Sequence, residues 1–151
     1  MEQFIKVNTL KDFVTKDFRR CEWFYPDFSW LYRIGHADYM VNTKLIQAAQ
    51  LVREFIKVPC FISSVYRPLD LYGFYRFCKA FDLHCGSNFA ALSILKNELK
   101  NHNNNPELFK ELRKSGITGF GIESNHLHFD IRDYCFNCSD PFGNYQFFEI
   151  S

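Results

Sequence analysis

The chain has 151 residues, 47% of them hydrophobic and 23% charged, with a net charge of +1 at neutral pH. That length and balance predict one globular domain and exclude a disordered chain. The near-zero charge removes any global electrostatic case for nucleic acid or an anionic membrane surface as partner.

Taken in order, Thr9-Leu-Lys-Asp-Phe-Val14 reads as a short helix with Phe13 and Val14 inward. Residues 20–40 are aromatic and irregular, and without a basic stripe the Trp23–Tyr32 cluster reads as core or cleft wall rather than a base-stacking platform. From Asn42 or Thr43, apolar residues recur at helical spacing (Leu45, Ile46, Ala48, Ala49, Leu51, Val52, Phe55, Ile56) until Pro59 closes the helix. Cys60-Phe-Ile-Ser-Ser-Val-Tyr66 reads as a strand leaving into a loop at Arg67-Pro68, and Lys79-Ala-Phe-Asp-Leu-His84 as a second strand.

Ser87 is a candidate cap for a helix through Leu99, and the polar run Lys100–Asn105 reads as a surface loop. Asn105-Pro106 is read as an N-cap with proline at the first helical position, opening a helix that ends at Gly116. Residues 117–122 and 127–131 form a strand pair, and 146–150 an edge strand. Helices and strands mix without a βαβ rhythm, so the predicted class is α+β: a small antiparallel sheet flanked by helices.

No apolar run approaches the roughly 18 residues that span a bilayer. Met1-Glu-Gln-Phe-Ile-Lys6 lacks the basic and apolar regions of a signal peptide, so the expectation is a soluble protein made in the cytosol, with its six cysteines reduced. Cys135 and Cys138 have CxxC spacing, yet no second CxxC follows to complete a structural zinc site. Buried or incidental thiols are the ordinary reading, and a metal or redox centre joining them to Cys78 or Cys85 is the alternative.

The densest chemistry lies in Glu123-Ser-Asn-His126-Leu-His128-Phe-Asp130. In a strand, His126, His128 and Asp130 share one face, and two imidazoles with carboxylates at this spacing suit a divalent metal and a general base. A solvated strand face that happens to carry histidine is the bland alternative.

Three pieces occur in order: Ser63-Ser-Val-Tyr66-Arg67-Pro68, then Lys79-Ala80-Phe81-Asp82-Leu83, then Gly119-Phe-Gly121 followed by His126-Leu-His128-Phe-Asp130. Together they resemble the zinc D-Ala-D-Ala carboxypeptidase family, which includes bacterial dipeptidases and phage endolysins and shares its fold with hedgehog signalling domains. The likeness runs from about Thr9 to Asp133, inside one domain over 1–151 with 134–151 as a C-terminal extension.

The resemblance implies a zinc peptidase cutting peptidoglycan peptides, with a hedgehog/DD-peptidase-like fold. It also implies an origin in phage or bacteria, with release at lysis for a phage enzyme. Arg67 would grip a substrate carboxylate or carbonyl oxygen, with Tyr66 and Ser64 beside it. Asp82 and His128 would be metal ligands and Glu123 the general base. The family's first histidine ligand falls on Tyr75 and its glycine on Cys78. The third donor is therefore open among His84, which shares Asp82's face, Cys78, and His126, for which Glu123-x-x-His126 reproduces the dipeptidase spacing. A member that kept the fold and lost catalysis, serving as a binding module, is the second reading. No nucleic-acid or membrane partner is expected.

Overall fold

The computed structural model describes residues 4–6, 15–18, 40–64, 80–131 and 146–149. Two short strands, β1 (Phe4–Lys6) and β2 (Met40–Asn42), pair antiparallel. They are followed by α1 (Thr43–Ile56), β3 (Phe61–Ser64), β4 (Ala80–His84), α2 (Phe89–Lys100), a 3-10 turn (His102–Asn104), α3 (Glu107–Lys114), β5 (Gly119–Ile122), β6 (Leu127–Asp130) and β7 (Gln146–Glu149). The main sheet has the order β3-β4-β6-β5-β7. The α+β class is as expected. One correction concerns the sheet: four strands are antiparallel, but β7 lies parallel to β5, pairing Phe120 with Phe147.

The sheet has two chemically opposite faces because its strands alternate. Ile62, Phe81, Leu83, Phe120, Ile122, Leu127 and Phe129 are buried in one hydrophobic cluster with Leu45, Ala49 and Val52 of α1, Leu92, Leu95 and Leu99 of α2, and Leu108, Phe109 and Leu112 of α3. Phe81 and Phe129 stack at 5.1 Å across the β4–β6 pair, and Phe109 of α3 meets Phe120 at 4.7 Å. Fully burying each such side chain stabilises the fold by about 1.5–3 kcal/mol. Phe18 joins this core, its segment tied to α1 where Gln50 Nε2 donates to Asp17 Oδ2 at 2.6 Å.

The starts of α2 and α3 each differ from expectation by one residue. Asn88, not Ser87, caps α2: its Oδ1 accepts from Ala91 N at 3.0 Å, leaving Ser87 to the preceding turn. Pro106 is the N-cap of α3 and Asn105 sits before it at φ +50°, a conformation that asparagine tolerates better than most residues. Gly116, at φ +108°, ends α3 where the sequence placed its stop. The expected Thr9–Val14 helix, most of the 20–40 aromatic stretch and the Cys135/Cys138 pair lie outside the described residues. No helix among the described residues is long and apolar enough to cross a membrane.

Candidate metal and acid–base site

The second face of the sheet carries the polar residues. Register places Asp82 of β4 opposite His128 of β6, which in turn lies opposite Gly121 of β5. One row further along, Asp130 stands between Ala80 and Gly119. The small side chains on both flanks make room for a carboxylate, and a Cβ on Gly119 would overlap Asp130's carboxyl atoms. Asp82, His128 and Asp130 are the only buried polar or charged residues among those described, and Asp130 has no exposure. Buried charges need partners, and these three have each other.

His128 is held at both ring nitrogens. Its Nδ1 lies 3.1 Å from Asp82 Oδ1 and its Nε2 lies 2.9 Å from Asp130 Oδ2. Burial alone would depress its pKa. Hydrogen bonds to Asp130 and Asp82, and the charge of both, outweigh burial and push it up to about 9. Without a metal, His128 is therefore an imidazolium clamped between two carboxylates.

The β5–β6 turn supplies the next groups. Glu123 N donates to His126 O at 3.1 Å to close the turn, and Lys96 Nζ from α2 donates to Ser124 O at 2.8 Å to pin it. His126 Nε2 contacts Glu123 Oε2 and lies 3.8 Å from Asp82 Oδ2, while its Nδ1 meets Asn125 Oδ1 at 2.6 Å. His84 lies ring on ring against His126, with centroids 4.9 Å apart, and Phe61 covers its other face at 5.3 Å. Burial, then the neighbouring His126, lowers the pKa of His84 against the opposing pull of Asp82 and Glu123.

Of the residues singled out from sequence, Asp82, His84, Glu123, His126 and His128 all converge on this face. Tyr66, Arg67, Tyr75 and Cys78 lie outside the described residues; Ser64 is in β3, but its side chain is not described. The sequence reading missed Asp130 as the partner behind His128, although alternation had put it on the correct face. It also missed Asn125 and Phe61, which no motif marks.

Two ligands of a tetrahedral zinc, each about 2.0–2.1 Å from the metal, stand roughly 3.3 Å apart. The 3.1 Å between Asp82 Oδ1 and His128 Nδ1 is close to that, and His126 Nε2 is the next nitrogen, 3.8 Å from Asp82's other oxygen. Because His126 is turned onto Glu123, no group of three or more His, Cys, Asp or Glu donors among the described residues stands ready around one point. Asp82, His128 and His126 nevertheless fit a zinc ion in donor type. Asp130 would take the Nε2–H of His128, the carboxylate partner that metal-bound imidazoles usually have.

No family model, curated protein or solved structure matches the chain. A cavity of about 380 Å³ lies among α1, α3 and Thr15, lined by Gln47, Gln50, Glu54 and Lys114, and none of the histidine cluster contributes to it. The clustered ionisable groups are on the sheet.

Proposed function

We propose that the protein is a zinc-dependent peptidase acting on peptidoglycan peptides, of D-Ala-D-Ala carboxypeptidase or endolysin type, with a hedgehog/DD-peptidase-like fold. The observation that carries this reading is the convergence of Asp82, His126 and His128 with Glu123 beside them. These are residues from two separated motifs of the family that the sequence resembles.

In this reading Asp82, His128 and His126 hold the metal, and geometry favours His126 over His84, whose ring lies flat against it. Bound zinc would supply a Lewis acid and lower the pKa of a water toward 7. Glu123, which contacts His126, would take a proton and return it to a leaving amine. Asp130 fixes the His128 ring so that Nδ1 faces Asp82. Arg67 follows β3 in sequence and would hold a terminal carboxylate in a bidentate fork, as the resemblance implies.

The test is zinc content of the purified chain together with cleavage of peptides ending in D-Ala-D-Ala and of muropeptides. About one zinc per chain with cleavage is expected, and neither zinc nor cleavage would overturn the reading. Tyr75, where the family has its first histidine, favours a second reading: a non-catalytic binding module on the same fold. Stoichiometric zinc and muropeptide binding with no turnover would select it.

A further inference from the structure

We propose that Cys60 and Cys85 are a cross-strand dithiol that closes to an intramolecular disulfide by exchange with a small-molecule disulfide such as oxidised glutathione. The two are 25 positions apart in sequence, and no CxxC motif joins them. The sheet brings them together.

Strands β3 and β4 are antiparallel, pairing Ile62 with Leu83 and Phe61 with His84. The next pair outward along that register is Cys60 with Cys85. The strands are still in contact at the last assigned pair, where the Phe61 and His84 rings stack at 5.3 Å with their planes 5° apart. Alternation gives the side chains a common direction: Phe61 and His84 are on the polar face, so Cys60 and Cys85 are on the opposite face with Ile62 and Leu83. Burial agrees with this assignment. Cys85 is 5% exposed within the hydrophobic cluster, and Cys60 is partly buried against that same cluster.

Directly opposed residues of an antiparallel pair have Cα atoms about 4.5–5.5 Å apart, inside the roughly 4.4–6.8 Å that a disulfide accepts. Both side chains are thiols in the structure. The backbone after Cys85 is fixed by the turn in which Asn88 N donates to Cys85 O at 3.0 Å, with Gly86 at φ +59°.

The exchange balances without a metal. Cys60, the more accessible thiol, loses its proton and attacks one sulfur of the small disulfide, releasing one small thiol and leaving a mixed disulfide on Cys60. The Cys85 sulfur, as its proton leaves, then attacks the Cys60 sulfur, forming the Cys60–Cys85 bond and releasing the second small thiol. The protein loses two hydrogens and the small disulfide gains them. The bond would staple β3 to β4 beside Asp82 and His84, and close a loop that contains Arg67 in sequence. The proposal does not depend on the peptidase reading.

The test is a peptide map of the full-length protein after equilibration with oxidised glutathione, digested with trypsin without reduction. Cys60 and Cys85 fall in separate tryptic peptides, 58–76 and 80–96, each with a single cysteine, and Cys78 falls in neither. The expected result is one species joining 58–76 to 80–96, lighter by two hydrogens than the two peptides and split by dithiothreitol. It should vanish in Cys60→Ser and in Cys85→Ser, and persist in Cys78→Ser. A stable glutathione adduct on Cys60 with no linked pair, or either cysteine joined to Cys21, Cys78, Cys135 or Cys138 instead, would overturn the proposal.

Discussion

Asp130 sits directly behind His128, its Oδ2 2.9 Å from the ring Nε2 and fully shielded from solvent. That contact decides which nitrogen of His128 faces Asp82. An imidazole whose rear N–H is committed to a buried carboxylate presents its other nitrogen with a fixed direction and raised basicity. Under the peptidase reading, Asp130→Asn should therefore weaken zinc binding by about 10–100-fold. Competition against a chromophoric chelator at fixed pH measures this, and an unchanged affinity would remove Asp130 from the site.

The metal-free protein should lose stability as pH rises through about 9. The folded-state pKa of His128 lies near 9, above its ordinary 6.5, so folding favours the protonated ring. The contribution is present in full below about pH 6.5 and is lost as pH climbs through about 9. Its size is on the order of 3 kcal/mol. Urea midpoints from pH 6 to 10 would show the decline, and His128→Gln should flatten it.

Gly119→Ala tests the space that Asp130 occupies. A methyl group there overlaps the carboxylate, so the strand or the buried side chain must shift to admit it. A loss of about 1–3 kcal/mol is expected, as for other overpacked cores. Under the peptidase reading the same substitution should also weaken metal binding, because it displaces the group that orients His128. Thermal melting and metal titration on one preparation read both effects.

Glu123→Gln should separate chemistry from binding. Under the peptidase reading, zinc content should stay near that of the parent while kcat drops by about 10²–10⁴-fold, the usual worth of a positioned base. Because Glu123 also contacts His126, the decisive readout is the zinc-to-protein ratio. Loss of zinc in this variant would recast Glu123 as part of the metal's own support.

Much of the fold was legible because hydrophobic periodicity and burial agree. α1 and α2, strands β4 to β6 and the stop at Gly116 follow directly from spacing and turn chemistry. Alternation even sorted His128 and Asp130 onto one face. It could not tell whether that face met water or was enclosed, because a polar strand face reads the same either way. Burial of Asp130 depends on Gly119 and Ala80 across two neighbouring strands, a relation set by register rather than by local sequence. The parallel attachment of β7 was hidden for the same reason. Strand 146–149 was visible, but its partner and direction are set by long-range pairing. The α2 cap moved by one residue because Ser87 and Asn88 offer nearly equal local signals; at α3 the start moved because Asn105 turned left-handed and left the capping position to Pro106.

The β4–β6 register has a further consequence for how the site is assembled. Slipping β6 by one residue against β4 would turn Leu127 and Phe129 out of the core and drive His128 and Asp130 into it. Each mispaired form would thus lose two apolar anchors and strand two ionisable groups among phenylalanines. The hydrophobic side of the sheet acts as the proofreader for the polar side. The spacing of Asp82 and His128 is enforced by residues that never touch them: the 3.1 Å between the two polar groups is set by the packing of the opposite face.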